Sequence, residues 1–223
     1  MNEELSLSII ICTKDRCIEV LACVKSILKQ TCYPQEVIIV DSSEDRILEK
    51  ELKILLVESD ITLNYSNIKA NLTKARNIGI GKSKGEVLTF LDDDTILGSR
   101  YLEEILTVFR SYPSRDIGGV SGNIVNANQS RMRDFFNKIF FLFRYSDGKF
   151  RLSGIQTFVK KNVKETVMVE GLSGANMSFR KSLIETFGFD ESSPCSEDDD
   201  VAWRVSREYA NIYTPFALIE HNS

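Results

Sequence analysis

The chain has 223 residues, 43% hydrophobic and 27% charged, with a formal net charge of -4. That is enough for one large core or two small ones, and the balance is that of an ordinary soluble globular protein with no pull toward nucleic acid. No apolar run approaches the roughly 20 residues needed to cross a bilayer. Residues 7–12 read as a buried strand, followed by a helix over 18–29. A second strand is expected over 36–41, with a helix beginning at Ser42-Ser43-Glu44, then a shorter strand over 61–65. Residues 72–83 look helical, Gly85 breaks that helix, and 86–91 form the next strand. A helix over 101–109 and an extended stretch over 118–125 complete the regular part. Beyond it, 167–169 is a short strand, 180–186 and 197–209 are helices, and 212–213 is extended. Strands that are nearly continuous in apolar residues and alternate with helices predict an α/β, mostly parallel sheet covered on both faces. Ligands of such sheets bind beyond the carboxyl ends of the strands, which places Thr13, Asp41 and the triplet Asp92-Asp93-Asp94 on one rim.

Five cysteines (Cys12, Cys17, Cys23, Cys32 and Cys195) form no C-x-x-C pair, and their odd number suits reduced thiols in the cytosol. The acidic opening Met1-Asn2-Glu3-Glu4 lacks the positive start of an export signal, so 8–11 is read as strand. Between 128 and 164, basic residues (Arg131, Arg133, Arg144, Lys149, Arg151 among them) gather with Phe135, Phe136, Phe140, Phe141 and Phe143.

The acid triplet follows Glu86-Val87-Leu88-Thr89-Phe90-Leu91. On an extended backbone Asp92 and Asp94 point to the same side, and two convergent carboxylates repel unless a cation lies between them. Hard oxygen ligands favour Mg²⁺ or Mn²⁺, and such an ion is suited to a diphosphate. The alternative is an acidic turn with Asp94 or Thr95 capping a following helix. A second acidic block, Glu197-Asp198-Asp199-Asp200, contains more like charge than a helix N-terminus needs, so at least one carboxyl there is expected to have a raised pKa. Arg204, seven residues after Glu197, lies on the same helix face and can hold that block or a diphosphate, whereas Trp203 reads equally well as core. Gly171 and Gly174 permit close backbone approach to a ligand. His221 is the only histidine of the chain, and by residue type alone it reads as a surface group.

Six segments in this order resemble a non-processive glycosyltransferase of family 2 with the GT-A, Rossmann-like fold. They are Ser8-Ile9-Ile10-Ile11-Cys12-Thr13-Lys14-Asp15-Arg16, Val37-Ile38-Ile39-Val40-Asp41-Ser42-Ser43, Ala75-Arg76-Asn77-Ile78-Gly79, Phe90-Leu91-Asp92-Asp93-Asp94, Leu172-Ser173-Gly174-Ala175-Asn176-Met177-Ser178-Phe179-Arg180 and Glu197-Asp198-Asp199-Asp200-Val201-Ala202-Trp203-Arg204. The resemblance implies a single domain, with 1–125 as the nucleotide-sugar-binding half and 126–223 as the acceptor side. It implies that Thr13, Arg16, Asp41, Arg76, Asp92, Asp93 and Asn176 bind a nucleoside-diphosphate sugar. Asp41 would accept the imide N–H of a uracil or thymine, a role open to an acceptor-only carboxylate. Arg76 would lie near the base or diphosphate, whereas by residue type beside Lys74 it reads as a solvated helix face. Asp92, Asp94 and His221 would hold Mn²⁺ or Mg²⁺, and Asp198 would be the base of an inverting hexosyl transfer.

The Gln-x-x-Arg-Trp segment of processive members is absent, so polymerisation is not expected. Two other readings fit an acidic α/β rim. A sugar-phosphate nucleotidylyltransferase would show a glycine-rich loop where this chain has Cys12-Thr13-Lys14-Asp15-Arg16, and a non-catalytic sugar-nucleotide module would have no use for two acid clusters. The segment 131–151 is too short to span a membrane and has the make-up of an interfacial one. It points to a peripheral site on the cytoplasmic face and a lipid-linked glycan acceptor, or else to core packing or a homodimer contact.

Overall fold

Leu7–Thr13 forms β1, and its side chains alternate between two hydrophobic clusters, Ile9 and Ile11 to one and Ile10 to the other. A strand buried on both faces in this way belongs at the middle of a layered α/β structure. The computed structural model describes residues 5–112, 116–126, 147–150, 156–157, 159, 163–192 and 196–222. Segment 131–146, with its phenylalanines, and Cys195 lie outside the described residues.

The first half is regular: α1 (Cys17–Ile27), β2 (Glu36–Asp41), α2 (Ile47–Leu55), β3 (Thr62–Asn67), α3 (Leu72–Lys82) and β4 (Val87–Leu91). β3, β2, β1 and β4 are parallel neighbours, with Thr13 opposite Asp41 and Ile11 opposite Leu91. The acid-bearing ends of β1, β2 and β4 are therefore level with one another. Gly79 brings α3 close to the sheet, because a Cβ there would lie 2.5 Å from Ile10 Cγ2.

The second half departs from a parallel pattern. β5 (Thr95–Leu97) follows the acid triplet directly, then α4 (Tyr101–Ser111), β6 (Ile117–Ile124), β7 (Val167–Val169), β8 (Asn176–Arg180), α5 (Lys181–Phe187), α6 (Glu197–Ser206) and the long β9 (Ala210–His221). The nine-stranded sheet runs β3-β2-β1-β4-β8-β6-β9-β5, with β7 paired to β9. β4, β5, β6 and β7 meet their neighbours β8 and β9 in a mixture of directions: β4–β8, β6–β8, β5–β9 and β7–β9 are antiparallel and β6–β9 is parallel.

Two expectations need correction, and one strand carried no expectation. α2 starts at Ile47 rather than at Ser42, because Ser43 is engaged with Asp41 and Asp45 Oδ1 accepts from the Ile47 N–H at 3.0 Å. The acid triplet neither extends the strand nor caps a helix: β4 ends at Leu91, and a tight turn closes with Thr95 Oγ1 donating to Asp92 O at 2.8 Å. The 176–180 stretch is a fully paired strand, which its polar Asn176 and Ser178 conceal; Ser178 Oγ meets Thr89 Oγ1 at 2.9 Å across the pair.

Candidate active site

The turn after β4 gives its three carboxyls different sets of partners. Asp93 Oδ2 accepts from Thr13 Oγ1 at 2.7 Å, and Arg16 from the loop after β1 reaches Asp93 Oδ1 at 3.0 Å and Asp94 Oδ2 at 2.9 Å. β9 runs antiparallel to β5 with His221 opposite Thr95, so His221 arrives beside the triplet. Its Nε2 lies 2.9 Å from Asp94 Oδ1 and 3.5 Å from Asp92 Oδ2. The predicted convergence of Asp92 and Asp94 is present, achieved by the turn.

Ligand atoms of Asp92, Asp94 and His221 lie within 4.8 Å of one another. Asp94 Oδ1 is buried and has no hydrogen-bond partner, although the imidazole nitrogen faces it. An orphaned buried carboxylate oxygen is costly, and a divalent ion between it and the imidazole would remove the cost. Two carboxylates with one imidazole suit Mn²⁺, while Mg²⁺ prefers oxygen alone. Burial raises the pKa of Asp92, against the opposing pull of Arg76 and His221, and Asp94 and Asp198 add to the rise. Asp93 is raised by burial as well, with Thr13 and Arg16 acting against it.

The second acid block opens α6. Ser196, before it, has a positive φ of 58° that strains a non-glycine residue. Each acid then meets a different fate. Glu197 Oε1 pairs with Arg76 Nη1 at 2.5 Å, and Asp198 Oδ2 accepts from the Gly174 N–H at 2.9 Å. Asp200 takes Arg204 at 2.7 Å, and the same guanidinium donates to the carbonyls of Phe187 and Gly188, so Arg204 ties α6 to α5. For Asp199, burial and the neighbouring Asp198 and Glu197 all push upward, to about 6. This is the raised carboxyl that the block's like charges imply. Trp203 is exposed and stacks under Arg207 at 5.3 Å, outside the core.

Between the clusters opens a cleft of about 620 Å³, lined by Arg76, Asp92, Gly174, Asp198, Asp199 and His221 among others. Arg76 is not a solvated helix residue: it is 4% exposed, and its guanidinium lies 5.3 Å over the Phe189 ring. Asp41 is fully buried; its Oδ1 accepts from Ser43 N at 2.8 Å and Ser43 Oγ at 2.5 Å, and its Oδ2 from Tyr65 Oη. Asn176 is not brought to the cleft: it is fully buried, with Oδ1 accepting from the Gly122 N–H at 2.5 Å. The residues before it, Leu172 to Ala175, line the cleft in its place. Sequence reasoning missed Gln156 and Leu72 in that lining and Tyr65 beside Asp41, none of which carries a local signal.

The family model for Glycosyl transferase family 2 matches residues 8–187. The chain belongs to that family. Its architecture is GT-A, shared with solved structures at low identity. One is the mannosyltransferase PcManGT from Pyrobaculum calidifontis in complex with GDP-Man and Mn²⁺, at TM-score 0.69 and 20% identity, covering 97% of this chain and 56% of that one. Another is GalNAc-T7 with UDP, GalNAc and Mn²⁺, at TM-score 0.74 and 17% identity, covering 97% of this chain and 43% of that one. Among curated proteins, glycosyltransferase GlyG of Streptococcus pneumoniae serotype 4 is 30% identical over 115 residues, 51% of this chain and 37% of the relative. The match thus spans little more than a third of that relative's length. Asp92 of the first acid cluster and Glu197, Asp198 and Asp199 of the second line the same cleft.

Proposed function

We propose that this chain is an inverting, metal-dependent glycosyltransferase that moves a hexosyl group from a uridine or thymidine diphosphate sugar to an acceptor hydroxyl. The observation that carries the reading is the position of Asp198. It is an acid fixed by the Gly174 N–H, across one cleft from the Asp92, Asp94 and His221 cluster. Bound at that cluster, Mn²⁺ or Mg²⁺ would neutralise the diphosphate charge as the bond to the sugar breaks. Thr13 and Arg16 hold Asp93 and Asp94 in place for this. Asp198 takes the proton of the acceptor hydroxyl while its oxygen forms a bond to C1. The C1–O bond to the diphosphate breaks in the same step, its electron pair leaving with the nucleoside diphosphate. No second carboxylate is needed as a nucleophile, so the anomeric configuration inverts.

Asp41 supports the choice of base. A carboxylate offers about four acceptor positions, and Ser43 and Tyr65 occupy all but one of them. The carboxylate is fully buried, so an imide N–H would reach it only once Ser43 or Tyr65 moves aside. On the acceptor side, the composition of 131–151 favours a lipid-linked glycan met at an anionic membrane surface on the cytoplasmic side. No helix among the described residues is long and apolar enough to cross a membrane.

Two measurements test the proposal. In calorimetry with Mn²⁺, UDP or dTDP should bind at least about tenfold tighter than GDP or CDP, a difference of about 1.4 kcal/mol; preference for GDP would remove Asp41 from the base pocket. Asp198→Asn should lower turnover by about 10²–10⁴-fold with donor affinity kept. Transfer at near wild-type rate would exclude Asp198 as the base.

A further inference from the structure

α3 delivers one guanidinium to three parts of the cleft. Arg76 Nη1 pairs with Glu197 Oε1 at 2.5 Å, while Nη2 reaches Gly174 O at 3.4 Å and Asp92 Oδ1 at 3.5 Å. Its side chain is 5% exposed, so the charge must find partners within the protein. The contacts are unequal, short to the α6 acid and long to the metal-side acid. Glu197 immediately precedes Asp198, and Gly174 donates its own N–H to Asp198. The guanidinium thus touches both neighbours that fix the proposed base, and also one member of the proposed metal cluster. Phe189, packed edge-on against Phe90 at 5.2 Å, forms the floor beneath it and limits where it can move. The fork of an arginine can hold two carboxylates at once, which a lysine ammonium on its flexible stem cannot do with the same geometry.

We propose that Arg76 is a positioning residue shared between the two acid clusters. It competes with a divalent ion for Asp92, and when the ion takes Asp92 it is committed to Glu197 and Gly174, which fixes Asp198 for proton abstraction. The proposal rests on the reading that Asp92, Asp94 and His221 hold a divalent ion. Because coupling between two sites is reciprocal, Glu197 in turn keeps Arg76 away from Asp92 and favours ion binding.

The variants have effects of opposite sign, which separates this role from simple structural support. Arg76→Met should bind Mn²⁺ roughly three- to tenfold tighter in calorimetry without donor, since a competing cation is gone. Its kcat should nevertheless fall roughly 10- to 100-fold, as expected for a displaced base. Arg76→Lys should return Mn²⁺ affinity toward wild type without restoring kcat. Glu197→Gln should weaken Mn²⁺ binding by releasing Arg76 onto Asp92, and this effect should vanish in the Arg76→Met background, as a double-mutant cycle requires. Unchanged Mn²⁺ affinity in Arg76→Met would overturn the competition, and unchanged kcat would overturn the positioning. If Arg76→Met does not fold, as judged by circular dichroism and thermal melting, Glu197→Gln decides alone: weaker Mn²⁺ binding supports the proposal and equal binding overturns it. Wild-type protein that binds no Mn²⁺ would defeat the metal reading and the coupling with it. Binding that is equal in wild type and all variants defeats the coupling only.

Discussion

β3, β2, β1 and β4 run parallel and are joined through helices, whereas β8, β6, β9, β5 and β7 meet in mixed directions. The first region brings Thr13, Asp41 and the acid triplet to one level because parallel strands end together. The second brings Gly174 and His221 to the same place by long-range antiparallel pairing, with His221 set opposite Thr95, and α6 adds Asp198 against the Gly174 N–H. The site lies at the seam, where the Asp92 N–H donates to Ala175 O at 3.3 Å. On the proposed reading the regular half carries donor binding, while the irregular half carries the proposed base, Asp198, and the proposed metal-side ligand His221.

Removing one ligand from each half gives the largest expected effect. Asp94→Ala should weaken Mn²⁺ binding by at least about 100-fold, because loss of outer-shell support alone typically costs roughly 10–100-fold. His221→Ala should follow in the same direction with a smaller loss, since Asp94 is buried and anchored by Arg16 while the imidazole is partly exposed. Calorimetry with Mn²⁺ alone checks both. Full Mn²⁺ affinity in His221→Ala would mean that the second half contributes nothing to the ion, and the seam would not be the site.

A smaller effect separates donor binding from base placement. A Cβ on Gly174 would lie 2.6 Å from Asp198 Oδ2 and 3.1 Å from its Cγ, so the carboxyl itself must give way. Gly174→Ala should therefore push Asp198 aside and lower kcat by roughly 10- to 100-fold, with UDP affinity unchanged. Equal losses in kcat and in UDP affinity would show the halves to be one functional unit rather than two.

The same contrast explains what the sequence made legible. β1, β2 and β4 are continuous apolar runs of Ile, Val and Leu, and a local window suffices to find them. β5 is three residues long and exists because β9 pairs with it, so nothing within Thr95-Ile96-Leu97 distinguishes a strand from a cap. β8 hides polar side chains that are satisfied only across the sheet. Arg76 read as solvated beside Lys74 because its partner Glu197 is 121 residues away and Phe189 almost as far. The acids of the site were found because clustered carboxylates are conspicuous. The groups that hold them, such as Tyr65 and the Gly174 N–H, become visible only in three dimensions.

The smallest prediction concerns an acid that the second half leaves without compensation. In the first half Asp41 has Ser43 and Tyr65, and Asp93 has Thr13 and Arg16. Asp199 has only causes that disfavour its charge, and its pKa stands at about 6 against an ordinary 3.8. Below about pH 3 the carboxyl is protonated folded and unfolded, and it is at its least costly. As pH rises through that window the unfolded chain ionises first, so the stability associated with the folded proton is lost, and the loss is complete above about pH 6. Asp199→Asn keeps a neutral group throughout and should leave stability at pH 3 nearly unchanged. At pH 7.5 it should add about 1 kcal/mol, after allowance for solvent screening of a partly exposed group. For a chain of this size that is a melting temperature higher by about 2–4 °C. Thermal melts at the two pH values decide it, because a gain of the same size at both would mean that the substitution acts through packing and not through the unpaired charge.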